Sequence, residues 1–377
     1  MPGRVSAKRR RGGFSQPSPK GRMESHSAGF PGAGTFAFPG SLGLAKSSDV
    51  MFSFALAFLL CGHPIQEPAP FQRFYVEDRL GRRIEAYLSE ATSTQPQPVA
   101  LLILGSGCQS VFQARGEQTL QGMQHYFLKA ARGKARVLIV EKPGVQYLDQ
   151  AKRPGTAEGA DPVFLREHTL ERWGEANRAA LAAVLQRKDV DASGCLVAGH
   201  SEGGMVAGRV AALEPKVSHV LSLAGGGVNQ LFSLAELAAR PQPKDAPDDG
   251  EQRRQRVFDG WQKVLQDPES TEEFWMGHPY RRWSGFLISS PLQEFRKSKA
   301  ALYLIHGSED RSSAVASFDA MVAELSADGR AMKVERLAGK GHGFESPSYY
   351  GPPNGMQRAF ERGFDWFLKD LKPRQQW

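Results

Sequence analysis

Cysteine is scarce. The three present (Cys61, Cys108, Cys195) are too few and too scattered for a disulfide framework or a cysteine zinc site. No H-E-x-x-H run and no clustered His/Asp set occurs, which argues against a metal hydrolase. No apolar run reaches the ~18–20 residues of a spanning helix, and no segment recurs with a solenoid period. Compositional bias is missing as well. With 41% hydrophobic and 23% charged residues in 377, the chain can bury a sizeable core, which excludes a mainly disordered, collagenous or disulfide-rich protein.

One excess stands out, a net charge of +8. Eight basic residues and only two acids fall within residues 1–50, so the remainder is nearly neutral. The folded body therefore carries no steering field for nucleic acid. Binding of nucleic acid or an acidic surface by the basic tail would be a secondary, salt-sensitive activity.

Residues 1–50 are rich in Gly, Pro, Ser and Arg without a sustained period, which predicts a disordered tail. Residues 51–62 read as a signal-like segment, whose core Met51–Cys61 has the length of a signal-peptide apolar region. Export to the periplasm or the exterior follows, with Met51 or Met23 as the start of translation. No A-x-A cleavage pattern follows the apolar run. Leu-Leu-Cys-Gly at 59–62 is similar to a lipoprotein box, except that Leu60 is large, and it would give N-terminal membrane anchoring. An organelle transit peptide also fits this Arg- and Ser-rich, acid-poor stretch, and a cytoplasmic protein follows if Met51–Cys61 is simply a buried segment.

From Phe71 the pattern changes. Phe71–Val76 and Arg83–Leu88 flank Asp78-Arg-Leu-Gly81 and read as a hairpin. Val99–Leu104, Ala135–Val140, Cys195–Ala198, Val217–Leu223 and Ala301–Ile305 are short apolar runs closed by turn residues. Runs of this kind are strands buried on both faces. Helical periodicity marks Gln124–Ala131, Leu170–Gln186, Glu202–Leu213, Ala314–Leu325 and Met356–Leu371, and Met332–Leu337 reads as a last strand. The alternation predicts an α/β fold over 71–377, a mostly parallel central sheet with helices on both faces. About seventy residues separate Gly227 from Ala301, far more than a crossover needs. They predict an inserted helical cap over about 230–299, rich in aromatics; the alternative is a long peripheral connection.

Gly199-His200-Ser201-Glu202-Gly203-Gly204 fits G-x-S-x-G, with a buried strand before it and a small-residue helix after it. A nucleophile on such a sharp turn projects its oxygen above the sheet. The later strands supply a base and an orienting acid. His306-Gly-Ser-Glu-Asp310 follows Ala301–Ile305, and Gly341-His342-Gly343 follows Met332–Leu337. The catalytic order is then Ser201, Asp310, His342, with Glu309 the nearest competitor for the acid. His200, His219 and His306 read as structural, and His278 as a surface residue or a substrate contact. One oxyanion donor is the N–H of Glu202. The other is Gly107 or Cys108, from the turn Gly105–Cys108. Cys108 is either a packing residue or a reactive thiol. In the cap, Tyr280, Trp283 and Arg281 are the candidate substrate-binding residues, with Arg281 and Arg282 available to an anionic group.

At these residues the chain resembles the α/β-hydrolase superfamily, from roughly Phe71 to Leu371. The resemblance rests on the elbow at 199–203, the Gly-x-x-Asp turn at 307–310, the Gly-His-Gly turn at 341–343 and the strand order. Gly203-Gly204 is similar to the dienelactone hydrolase and prolyl-oligopeptidase-like branches, although Ser, not Cys, stands at the elbow and no propeller domain precedes it. The His-Gly-Gly-Gly loop of many lipases is replaced by Gly-Ser-Gly-Cys. The resemblance implies cleavage of an ester, thioester or amide through an acyl-enzyme, without a cofactor. The substrate would be a small molecule or a short peptide, giving a carboxylesterase-like enzyme or a serine peptidase. A non-catalytic ligand-binding homologue is the reading from another class; its signature would be a broken triad.

Overall fold

The structure is a computed structural model that describes residues 70–115, 118–120, 122–241, 249–345 and 355–371. The basic tail and the apolar segment 51–62 lie outside the described residues. The described residues open with an antiparallel hairpin, β1 (Phe71–Glu77) and β2 (Arg83–Ser89), as its turn residues predict. The strand β3 (Gln97–Ile103) leads to a small hairpin, β4 (Gln113–Arg115) and β5 (Gln118–Leu120), and then to α1 (Met123–Ala131) and β6 (Arg136–Val140). Next come α2 (Pro162–Glu167), α3 (Leu170–Val184), β7 (Val190–His200), α4 (Glu202–Leu213) and β8 (His219–Leu223).

An inserted stretch follows: α5 (Gln230–Ala239), α6 (Gly250–Gln266), the two-residue strands β9 (Phe274–Trp275) and β10 (His278–Pro279), and α7 (Tyr280–Leu287). The fold closes with α8 (Pro291–Lys297), β11 (Ala301–Gly307), α9 (Val315–Ala327), β12 (Met332–Leu337) and α10 (Gly355–Asp370).

Eight strands form the main sheet in the order β1-β2-β6-β3-β7-β8-β11-β12. The six from β6 to β12 are parallel, and the β1–β2 hairpin is attached antiparallel along β6. Side chains alternate across the two faces, as a pleated strand requires. Leu101 and Ile103 of β3, Val197 of β7 and Leu304 of β11 join one core with Trp173, Met205, Phe295 and Phe318 of α3, α4, α8 and α9. Ala100 and Leu102, Ala198, and Tyr303 and Ile305 face the other core, with Phe127 of α1 and Phe360 and Phe364 of α10. Helices on both faces explain why these strands read as unbroken apolar runs. β12 differs; it is an edge strand, only partly covered.

The stretch expected as a cap, about 230–299, holds α5 to α7, called the inserted segment below, and also α8. α8 is instead a crossover helix of the body: its Phe295 ring packs against α4 so closely that a Cβ at Gly208 would lie 2.9 Å from it. No helix among the described residues is long and apolar enough to cross a membrane.

Candidate active site

β7 runs directly into α4 through Ser201. The approach is so close that a Cβ at Gly199 would lie 1.9 Å from the Gly203 carbonyl oxygen, and one at Gly203 2.2 Å from that of Ile103. Only glycine fits either position. Ser201 is held at φ 57°, ψ −127°, a conformation costly for a residue with a Cβ and one found at functional sites. Its own N–H donates to the Leu223 carbonyl at 2.9 Å, tying the turn to β8. Glu202 is the first residue of α4, where backbone N–H groups have no partner within the helix.

The loop after β11 carries Asp310, which is fully buried. Its Oδ1 accepts from the N–H groups of Ser312 and Ser313, each at 2.8 Å. Its Oδ2 faces His342 Nδ1 at 2.8 Å, and His306 Nε2 lies 3.3 Å from the same oxygen. Burial opposes the charge on Asp310, but His342 and these two N–H groups outweigh it and hold the carboxyl below its ordinary value. Glu309 is exposed and its N–H is engaged by the Lys340 carbonyl, so Asp310 is the acid that meets His342. His306 also contacts the Ser313 carbonyl at 3.2 Å and is buried, in keeping with a structural role. His200 supports the loop after β12: its Nε2 meets the His342 carbonyl oxygen at 2.9 Å. His219 is buried against Trp366 and Phe367.

Ser201 opens onto two cavities. The larger, about 640 Å³, is bordered by Ser201, His342, Gly105, Ser106, Glu141 and Met356, among others. The smaller, about 80 Å³, lies between Ser201, Gly225–Gly227 and the start of α5. The loop after β3 reaches the serine as expected, since a Cβ at Gly105 would lie 3.7 Å from Ser201 Oγ. Its register differs from the expectation. Cys108 is buried, and its N–H already donates to the Thr156 carbonyl at 3.2 Å. Gly105 and Ser106, not Gly107 and Cys108, border the cavity. Burial pushes the Cys108 thiol pKa up, and it packs with Val145, Ala157 and Phe164, so it is a packing residue rather than a reactive thiol.

The expected substrate contacts of the insertion lie elsewhere. Tyr280, Arg281 and Trp283 border neither cavity. The Trp283 indole donates to the Trp275 carbonyl, and Arg281 donates to the Arg166 carbonyl at 2.8 Å while pairing with Glu269. These groups are used within the fold. His278 is likewise buried, meeting the Gly155 carbonyl at 2.9 Å. Arg282 is not available to a substrate anion either; its guanidinium is buried against the Glu202 carboxylate.

That contact belongs to a cluster the sequence did not reveal. Glu202 is held by Arg282 and by His168 Nε2, the latter at 2.9 Å. Burial opposes its charge, but His168, Arg282 and Lys142 hold the carboxyl well below its ordinary value. Burial in turn drives His168 down to about 4. Nearby, Lys142 Nζ donates to the carbonyls of Gly105 and Gly107. Glu141, on the cavity wall, accepts from Ser110 Oγ and Val111 N, and burial pushes its carboxyl up to about 8. No group of three or more His, Cys, Asp or Glu among the described residues is arranged to hold a metal ion.

Comparison with known proteins agrees with this geometry. A family model described as "Alpha/beta hydrolase family" matches residues 105–349. No curated protein matches the chain. Among solved structures, a puromycin-hydrolyzing peptidase of Mycobacterium tuberculosis is 15% identical with a TM-score of 0.53, over 80% of this chain and 39% of its own. An acylaminoacyl peptidase of Pyrococcus horikoshii is 14% identical with a TM-score of 0.55, over 82% and 43%. Est1E from Butyrivibrio proteoclasticus is 16% identical with a TM-score of 0.50, over 79% and 98%. The chain thus spans less than half the length of the two peptidases. At such identities the likeness is one of fold.

Proposed function

The chain belongs to the alpha/beta hydrolase family, and from that premise we propose that it is a serine hydrolase cleaving an ester, thioester or amide bond through an acyl-enzyme. The observation that carries this reading is the meeting of three elements: Ser201 on its strained turn, and His342, bonded to buried Asp310, bordering the same cavity.

In this mechanism His342 Nε2 takes the proton of Ser201 Oγ as the oxygen attacks the substrate carbonyl. Asp310 holds the imidazole with Nδ1–H toward itself and stabilises the imidazolium. The Glu202 N–H and an N–H of the loop after β3 face the developing oxyanion. His342 then gives its proton to the leaving group, and the same cycle with water releases the acyl group. A carboxylesterase-like activity is the simplest form of this chemistry. In its setting, α5 closes one side of the nucleophile and limits water access. The apolar run Met51–Cys61 supports export, which fractionation of cells expressing the full chain would test.

The test is labelling by a fluorophosphonate probe, with hydrolysis of p-nitrophenyl esters and aminoacyl p-nitroanilides measured on the same samples. Labelling and turnover should vanish together in Ser201→Ala. A folded Ser201→Ala that still turns over substrate would overturn the assignment. Preference within the panel separates ester from peptide cleavage.

A further inference from the structure

We infer that Lys142 is a positioning residue for the oxyanion site, and that the peptide plane it holds assigns the second donor to the N–H of Ser106. The inference rests on the serine-hydrolase reading and deepens it.

Lys142 follows β6, away from Ser201 in sequence, and its side chain is buried. Its ammonium nitrogen reaches back to the loop after β3 and donates to two carbonyls there, those of Gly105 and Gly107, the second at 2.7 Å. In a planar trans peptide the C=O and the following N–H point in opposite directions. Each carbonyl that Lys142 holds therefore fixes where the next N–H points. The Gly107–Cys108 peptide is pinned at both ends, because the Cys108 N–H donates to Thr156 on the far side. The Gly105–Ser106 peptide is pinned only through its carbonyl. Its N–H end is turned from Lys142, and both residues border the cavity they share with Ser201 and His342. Gly105 itself lies against the nucleophile, a Cβ there falling 3.2 Å from Ser201 Cβ.

The same ammonium sits in the field of Glu202, whose carboxylate is shared with Arg282 and His168. Glu202 thus serves the site twice. Its backbone N–H faces the reacting carbonyl, and its side chain keeps the cations behind the loop in place. Lys142 touches neither nucleophile nor base, so its effect on turnover passes through the orientation of one peptide group.

Lys142→Met keeps the length of the side chain and removes the donor. With p-nitrophenyl acetate, kcat should fall ~10²-fold while KM stays within about threefold, the loss expected when an oxyanion donor is misplaced. Inhibition by phenylboronic acid, whose serine adduct places an oxygen in the oxyanion position, should weaken along with kcat. Amide hydrogen exchange over residues 105–109 should quicken while exchange in β7 and β11 stays slow. Wild-type exchange in this loop, or wild-type kcat in the folded variant, would overturn the inference. Should Lys142→Met not fold, Ser106→Pro, which deletes the assigned N–H and leaves Ser201, His342 and Asp310 in place, must lower kcat by ~10²–10³, and a smaller loss refutes the assignment. If the wild type itself neither labels nor turns over, the serine-hydrolase reading falls, and the exchange measurement still decides whether Lys142 holds the loop.

Discussion

The strand-end loops and the inserted segment α5–α7 surround the same serine, yet they treat polar side chains in opposite ways. After β7 and β11 the connections are short, and the N–H groups of Ser312 and Ser313 hold the Asp310 carboxylate against His342. In the insertion the conspicuous residues turn inward on the fold: Trp283 to Trp275, Arg281 to Arg166, Arg282 to Glu202. Its exposed surface mixes many charged side chains with a few apolar ones, including Phe258, Leu265, Phe274 and Met276. Residue type alone thus identifies chemistry where a short loop fixes direction, and fails where a longer segment can choose its partners.

Four substitutions and titrations test that contrast. The largest effect belongs to the strand ends. Asp310→Asn should lower kcat by ~10⁴ with little change in KM, because the imidazole loses the partner that fixes its tautomer. Loss of less than tenfold in ester hydrolysis would hand the acid role to another group. Next comes the joint between the two regions. Arg282→Met leaves Glu202 buried without its guanidinium and should cost about 3–5 kcal/mol of stability, seen in denaturant unfolding. Unchanged stability would mean that the insertion is not anchored there.

Acid should weaken the same joint. His168 is lowered to about 4, and His200 and His278 each to about 3, all chiefly by burial. Each is neutral in the folded chain and takes up a proton on unfolding below its ordinary value near 6.5. Their contribution to stability is therefore complete above that pH and declines as the pH falls toward 4, by about 1.4 kcal/mol per pH unit for each histidine. Unfolding free energies measured from pH 7 to 4.5 should show this slope, and His168→Gln should flatten it. The smallest effect is expected at Arg281. Its partner Glu269 is largely exposed, so Arg281→Ala should cost less than about 1 kcal/mol and leave KM within about twofold. A large rise in KM would restore Arg281 to the substrate site.

The sequence displays what short-range rules control. The apolar runs of β3, β6, β7, β8 and β11 are visible because both sheet faces are covered, and the elbow is visible because only glycine tolerates its contacts. The pairing of Asp310 with His342 follows from strand order, since β11 and β12 are parallel neighbours. The cluster around Glu202 is not legible in the sequence for the converse reason. Lys142, His168 and Arg282 come from three distant parts of the chain, and each looks like an ordinary charged residue in its own surroundings. The register of the loop after β3 is hidden as well. Gly105, Ser106, Gly107 and Cys108 all suit a turn, and the choice among them is made by Thr156 and Lys142 across the fold.

The insertion is fastened to the body at widely spaced points. Arg240 donates to the carbonyl of Asp310, the Ala157 N–H donates to the Gly277 carbonyl at 2.8 Å, and Arg282 meets Glu202. Two of these attachments end on residues beside or within the candidate triad. The segment is therefore not a cassette. An engineer who swapped it to change selectivity, as one exchanges a detachable lid, would also strip a guanidinium from behind the Ser201 turn and a clamp from the loop that carries Asp310. New selectivity in this scaffold is more safely sought on the walls of the larger cavity, which belong to the body.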